Sequence, residues 1–381
     1  MTHDVMYVTT IIPFFYINRK HFTESHKVFR IRSIMLVVMK SFDYTIFEGC
    51  ESMKPLNGIH HVTAITSSAE KIYHFFTYIL GLRLVKKTIN QDDIQTYHLF
   101  FADDQGSPGT DMTFFDFPGI EQAVKGTNEL AKTSFRVPSD EALLYWQKRF
   151  DKYQVKHFPI INLFGIKMME FHDFDNQEYM LISDELDDGV KPGIPWQLGP
   201  IPLEFAIRGL GPIFMRVSHI EHLDHVLTDL LTFKKTGDDH FFYRYETGLG
   251  GNGGSVIVEK NTTLGIGRQG FGGIHHVAFS VNDTTDITAW IDELNHLGKR
   301  HSGLVDRFYF RSLYTRLYPG MLFELATEGP GFIDDEETYE TLGETLALPP
   351  KFRNQRKSIE KLVRHIDTVR SNLTFEKEYI D

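Results

Sequence analysis

Gly58-Ile-His-His-Val62 returns 215 residues later as Gly273-Ile-His-His-Val277. Five identical residues alone would carry little weight. The flanks repeat as well. Pro108-Gly109 opens an alternating run, Thr110–Phe117, that ends in Pro118-Gly119. Pro319-Gly320 opens Met321–Thr327, ahead of Gly329-Pro330-Gly331. The same opening and closing signals at nearly the same spacing mark an internal duplication.

Each copy reads as a strand, a helix and further strands. His60–Thr66 is β-rich, and Ser67–Leu80 sets Ile72, Phe75, Phe76, Ile79 and Leu80 at helical spacing, with Gly81 as the stop. Leu82–Lys87, Ile94–Phe101 and Asp111–Phe117 alternate as strands. In the later copy His275–Val281 is the strand and Asp286–Leu297 the helix, stopped by Gly298. Tyr309–Leu317 and Leu322–Ala326 are further strands.

Two more units of this plan lie between. One has Lys132–Val137, a helix over Glu141–Tyr153, and strands near Lys167–Phe171 and Glu178–Ile182. The other has Pro212–His219, a helix over Leu223–Leu231, and strands at Phe241–Glu246 and Ser255–Glu259. The expected fold class is α+β: four βαβββ units paired into two domains with curved, barrel-like mixed sheets. Pairing the units in chain order gives domains at 53–185 and 205–332, joined by a proline-rich linker at 186–204. Residues 333–381 form a tail with a helix over about Asn354–Val369. The glycines between 248 and 254 read as a hairpin loop, because they do not lead from a strand into a helix as a phosphate loop does.

Composition narrows the chemistry. Of 381 residues, 41% are apolar and 24% charged, which suits globular domains rather than disorder or coiled coil. No apolar stretch reaches the ~18 residues of a spanning helix, so no membrane role is expected. The net charge of −11 argues against a nucleic-acid surface. There are 18 histidines and one cysteine, Cys50, which rules out an intrachain disulfide and thiolate zinc sites. Any metal site must use nitrogen and oxygen. Clear patterning begins just after Met53, so residues 1–52 read as an extension ahead of the working start. Neither of its apolar stretches has the form of a secretion signal, and a cytoplasmic protein is expected.

In a strand, adjacent side chains face opposite ways. Only one histidine of His60-His61 and one of His275-His276 can therefore face a given side. The repeat puts the two strands in equivalent positions, so His61 and His276 can converge across a pseudo-twofold cavity. Glu324 supplies a third donor. It sits among apolar neighbours in Met321-Leu-Phe-Glu-Leu-Ala326, with Leu322 and Ala326 on its own face. A carboxylate there is costly to bury unless it is paired or binds a metal. Aligning the two Pro-Gly signals puts Thr113 at the matching place of the first unit. Two histidines and one carboxylate with open positions is the arrangement of non-haem Fe(II) oxygen chemistry.

At these residues the chain resembles the vicinal oxygen chelate superfamily, which includes glyoxalase I, extradiol ring-cleaving dioxygenases and bleomycin-resistance proteins. The closer likeness is to its hydroquinone-type ring-cleaving dioxygenases. It is carried by the two Gly-Ile-His-His-Val motifs, Leu80–Thr88, Tyr97–Asp103, Gly106–Gly109, Asp306–Tyr314 and Phe323-Glu324, and spans about Met53 to Arg370. The resemblance implies metal ligation by His61, His276 and Glu324. It implies supporting catalytic roles for Tyr314 and Arg307, and for His60 and His275. The implied cofactor is Fe(II), with Mn(II) as the second choice. The implied partners are a small aromatic diol and O₂, and a homo-oligomer is compatible with the likeness. Tyr314 would donate a proton or hydrogen bond, and Arg307 would stabilise negative charge. Phe100, Phe101, Phe114, Phe115, Phe308, Tyr309 and Phe310 would wall the ring.

Three rival functions share this frame, the nearest a catechol dioxygenase, which differs mainly in how the substrate chelates. A glyoxalase-like lyase or isomerase favours a second carboxylate, and Thr113 stands where it would be. A ligand-sequestering resistance protein needs no metal triad.

Overall fold

The computed structural model describes residues 55–333 and 336–380. The proposed extension, residues 1–52, lies outside the described residues. Met53–Asp381 forms one compact unit.

The first unit runs β1 (Ile59–Ile65), α1 (Ala69–His74), β2 (Arg83–Ile89), β3 (Tyr97–Ala102) and β4 (Asp111–Phe115). The second is β5 (Glu129–Val137), α2 (Asp140–Tyr153), β6 (Ile161–Leu163), β7 (Ile166–His172) and β8 (Glu178–Ser183). The third is β9 (Ile213–Val217), α3 (Ile220–His225), β10 (Lys234–Asp238), β11 (Phe242–Glu246) and β12 (Ser255–Lys260). The fourth is β13 (Gly273–Val281), α4 (Thr284–His296), β14 (His301–Asp306), β15 (Arg311–Tyr318) and β16 (Met321–Thr327). α1, α2 and α4 start where the sequence provides caps. Ser68, Ser139 and Asp283 each accept a hydrogen bond from a first-turn backbone N–H, worth about 1 kcal/mol apiece. Gly81 and Gly298 act as the expected stops, with φ of +71° and +63°. α1 and α3 each close with a wider π turn, Phe75–Ile79 and Val226–Leu230.

The sheets depart from the expected chain-order pairing. One eight-stranded sheet has the order β14-β15-β16-β13-β1-β4-β3-β2, joining the first unit to the fourth. The other, β10-β11-β12-β9-β5-β8-β7-β6, joins the second to the third. Domains at 53–185 and 205–332 therefore do not describe the sheets. Each unit leaves one edge of its first strand unpaired, and any other unit's first strand can complete it. The strand pattern specifies the unit but not its partner.

In the first sheet β1 and β13 run antiparallel at the centre, with Val62 opposite Val277, His61 opposite Ala278 and Thr63 opposite His276. Alternation then sorts the side chains. Val62, Ala64, Val277, Phe323 and Leu325 join the main core, where Phe76 of the α1 π turn packs against Phe101 and Phe114 of one sheet and Phe135 and Tyr179 of the other. The opposite face of the second sheet is filled by Met168, Met180, Ile182, Phe214 and Ile257. On the first sheet that face carries His61, Thr63, Thr113 and Glu324.

The chain from Glu337 to Arg370 straps back over β2. Lys86 is paired with Glu337 at 2.6 Å, Lys87 donates to Thr368 Oγ1 at 2.8 Å, and Arg370 donates to the carbonyls of Leu84 and Leu342. The helix here, α5, covers only Arg356–Leu362, after a 3₁₀ turn at Pro350–Gln355. The expected continuation to Val369 is absent: Val363 is extended (φ −84°, ψ 142°), and the chain beyond it is bound to β2. Tyr309 and Phe310, expected within a strand, lie in the turn before β15, with Phe308 at φ 72°. Among the described residues no helix is long and apolar enough to cross a membrane.

Candidate metal centre

Three central strands deliver three donors. His61 comes from β1, His276 from β13, and Glu324 from β16, beside Ala278 in the parallel pair. Glu324 Oε2 lies 2.9 Å from His276 Nε2 and 3.2 Å from His61 Nε2, and the two Nε2 atoms are 3.3 Å apart. All three side chains are buried, with exposures of 2%, 4% and 0%. This is the one such cluster among the described residues. Adjacent corners around an ion with bonds of roughly 2.0–2.2 Å stand ~3 Å apart, so the spacing fits a metal.

Neighbouring groups fit it too. His60 Nε2 lies 3.0 Å from the carbonyl oxygen of Thr327, which can only accept, so Nε2 carries the proton. Burial, with the neighbouring His61, lowers His60 to about 3 and keeps it neutral. Its Nδ1 is then an acceptor, 2.9 Å from His61 Nδ1. That puts the His61 proton on Nδ1 and leaves the Nε2 lone pair facing Glu324. Such outer hydrogen bonds set the tautomer of ligating histidines. His275 Nδ1 makes the matching contact with His276 Nδ1 at 2.8 Å, and burial, then His276, lowers His275 to about 3. Burial also lowers His276. Burial pushes the Glu324 carboxyl up; charged His61 and His276 would hold it well below the usual range, and with bare Nε2 lone pairs facing it a cation takes that part. Neither carboxylate oxygen has a partner in hydrogen-bond geometry. A buried, ionised, otherwise unsatisfied carboxylate facing two imidazole nitrogens is the donor set of a cation site.

Thr113 holds the place of a fourth ligand. It neighbours Thr63 in the β1–β4 pair as Glu324 neighbours Ala278 in the β13–β16 pair. Its Oγ1 lies 2.7 Å from Thr63 Oγ1, which lies 3.0 Å from His276 Nε2.

His61 and His276 line a cavity of about 410 Å³, with Glu324 buried behind them. Arg307 and Tyr314 both line it: Arg307 Nε donates to the Tyr314 hydroxyl at 3.1 Å, and Nη2 donates to Asp92 at 2.9 Å. Gln91 closes the same corner by donating to the Arg307 carbonyl at 2.7 Å. Burial raises the Tyr314 phenol, keeping it protonated. Of the aromatic residues expected as walls, Phe100, Phe115, Tyr309 and Phe310 line the cavity. Phe101 and Phe114 face the core between the sheets instead, as alternation from Phe100 and Phe115 requires. Phe308 packs behind Tyr309 and Phe310.

Sequence reasoning missed His98, Thr63, Gln91 and Asp92. His98 was legible: it alternates in register with Phe100 on β3, so a cavity-facing Phe100 implies a cavity-facing His98.

A duplicated βαβββ sheet that brings two strand histidines and a carboxylate into one buried cluster beside a cavity defines a class. The chain belongs to the glyoxalase/bleomycin resistance protein/dioxygenase superfamily, whose family model matches residues 58–182. It is 41% identical over 316 residues to MhqA of Bacillus subtilis (strain 168), which is provisionally named a ring-cleaving dioxygenase; the match covers 82% of this chain and 99% of MhqA. It is 30% identical over 310 residues to a chlorohydroquinone/hydroquinone 1,2-dioxygenase of Sphingobium indicum, covering 78% of this chain and 92% of that enzyme. A crystal structure from Bacillus subtilis, provisionally described as a dioxygenase, matches with a TM-score of 0.73 at 33% identity, over 86% of this chain and all of that one.

Proposed function

We propose that this protein is an Fe(II)-dependent dioxygenase that cleaves the ring of hydroquinone-type aromatics, in quinone detoxification or aromatic catabolism. The observation that carries the reading is the buried His61–His276–Glu324 cluster, with Thr113 in place of a fourth ligand, opening on an aromatic-walled cavity. The relatives named as ring-cleaving and hydroquinone dioxygenases support it.

His61, His276 and Glu324 would hold the metal. When bound, it supplies Lewis acidity and open positions at which a phenolate and O₂ meet. The chain's residues do the rest. Phe100, Phe115 and Phe310 orient the ring and exclude water. Tyr314, protonated and 3.1 Å from Arg307 Nε, is placed to give a proton or hydrogen bond to an oxygen in the cavity. Arg307 stabilises the charge that the phenol then carries, and Asp92 holds Arg307 in place. A glyoxalase-like reaction is disfavoured by the hydroxyl at position 113, and a sequestering role leaves the buried triad without a purpose.

The test is anaerobic purification with metal analysis, then O₂ uptake with methylhydroquinone, catechol and a methylglyoxal–thiol adduct. Uptake with the hydroquinone under Fe(II) is expected. Absence of uptake with every aromatic diol removes the dioxygenase reading.

A further inference from the structure

The cavity has a second polar corner that neither the three donors nor the Arg307–Tyr314 pair uses. It is built by β2 and β3, where Thr88 stands directly opposite His98. Both residues line the cavity. Thr88 is buried, and its Oγ1 has no hydrogen-bond partner. His98 Nε2 lies 3.0 Å from Thr113 Oγ1, while among the described residues Nδ1 has no partner. The imidazole is clamped between Phe100 and Phe115, with ring centroids 4.0 and 4.4 Å away, so it cannot swing out to find one. Burial, reinforced by His61 and His276, holds it well below its ordinary value. It is therefore neutral, with one donor and one acceptor nitrogen. Gln91 Oε1, on the same cavity, is also unpaired.

Buried polar atoms are nearly always paired. Thr88 Oγ1 and Gln91 Oε1 are unpaired atoms on an apolar cavity, and with the half-buried His98 opposite Thr88 they mark where a ligand brings polar groups. A fitting ligand is a flat ring with a hydroxyl at each end, one toward the three donors and one toward this corner. We infer that Thr88 and His98 bind the ring hydroxyl remote from His61, His276 and Glu324, so that the site selects dihydroxybenzenes whose second hydroxyl lies across the ring. This rests on an aromatic diol being the substrate. Such a corner discriminates strongly, because an analogue that lacks the hydroxyl leaves buried polar atoms unpaired.

The test is anaerobic titration calorimetry of the metal-loaded protein with hydroquinone and with 4-methoxyphenol, whose second oxygen cannot donate. Wild type, Thr88→Val and His98→Phe are compared. Thr88→Val changes little but the hydroxyl, and His98→Phe keeps the aromatic clamp. Wild type is expected to prefer hydroquinone by roughly tenfold or more. Each variant should shrink that preference to about threefold or less by weakening hydroquinone alone, with unchanged 4-methoxyphenol binding reporting an intact cavity. If His98→Phe does not fold, Thr88→Val decides. A wild-type preference retained in both variants overturns the inference. So does a wild type with no preference, and one that binds neither compound overturns the substrate reading as well. A variant-sensitive preference in a protein that consumes no O₂ removes ring cleavage and still supports the corner's role.

Discussion

Val62 lies directly opposite Val277, its own counterpart in the repeat. The local twofold axis therefore passes between them, and the central strand residues of the site pair across it. His61 answers to His276, and His60 to His275. The pairing continues outward: Thr63 answers to Ala278, Thr113 to Glu324, and Phe100 to Tyr314. The backbone is symmetric and the chemistry is not. One half supplies a carboxylate and a phenol, the other two hydroxyls and an apolar ring.

Glu324→Ala removes the one anionic donor and leaves two imidazoles. Metal affinity should fall by on the order of 100-fold or more, because two nitrogens hold a divalent ion poorly without the charge. The fold should survive, since the residue left behind is small and apolar. Metal content after dialysis and a thermal melt read the two effects separately. Wild-type metal content in the variant would show that the cluster is not the site.

His60→Phe tests the hydrogen-bond chain behind the site. The ring already packs near Phe310, at 5.4 Å between centroids, so phenylalanine fits. It removes the acceptor for His61 Nδ1–H and frees that imidazole to take the wrong tautomer. The expected loss in metal affinity is roughly 10–100-fold. Unchanged affinity in a chelator competition would mean that His60 only fills space.

Tyr314→Phe should keep the metal and slow O₂ uptake by roughly 100-fold or more, the range of a lost general acid. The decisive readout is the split between kcat and KM. A fall in kcat with little change in KM marks a group used after binding. A change confined to KM would make Tyr314 a wall residue.

These sites differ in how readable they were. His61, His276 and Glu324 could be found because a repeat and a two-residue period constrain them. The four units could be found for the same reason. The partner of each unit could not, because an unpaired strand edge carries no address. The apolar spacing carries the helix past Leu362 because Ile359, Val363 and Ile366 are buried both inside the helix and beyond it. Burial gives the same apolar spacing whether the backbone coils or runs along β2. Asp92 and Gln91 sit in a turn 215 or more residues from Arg307, and no local pattern joins them to it.

Asp173, away from the cavity, should leave a mark on the pH dependence of stability. Burial raises its carboxyl to about 6, although Tyr179 and backbone N–H groups donate to it. A raised carboxylate favours the folded state at low pH, and that contribution is lost as pH rises from about 4 through about 6. Asp173→Asn cannot titrate. Relative to wild type it should gain roughly 1–1.5 kcal/mol between pH 5 and pH 7.5. Urea midpoints at the two values measure this, and a pH-independent difference would place the Asp173 carboxyl at its ordinary value.

The broken symmetry can be repaired, and the result separates the two enzyme readings. Thr113 stands where Glu324 stands in the other half, and Thr63 stands where Ala278 leaves room for that glutamate. Thr113→Glu with Thr63→Ala should therefore place a second carboxylate across the axis from the first. The four-donor shell should bind a divalent ion more tightly and leave one position fewer for exogenous oxygen. O₂ uptake with hydroquinones should fall by on the order of tenfold or more, while resistance to chelators rises. Both changes together mean that the hydroxyl at position 113 keeps the site open for oxygen chemistry. If chelator resistance rises and O₂ uptake stays at the wild-type level, the open position is not what the reaction uses, and the hydroxyl at position 113 no longer speaks against a glyoxalase-like function.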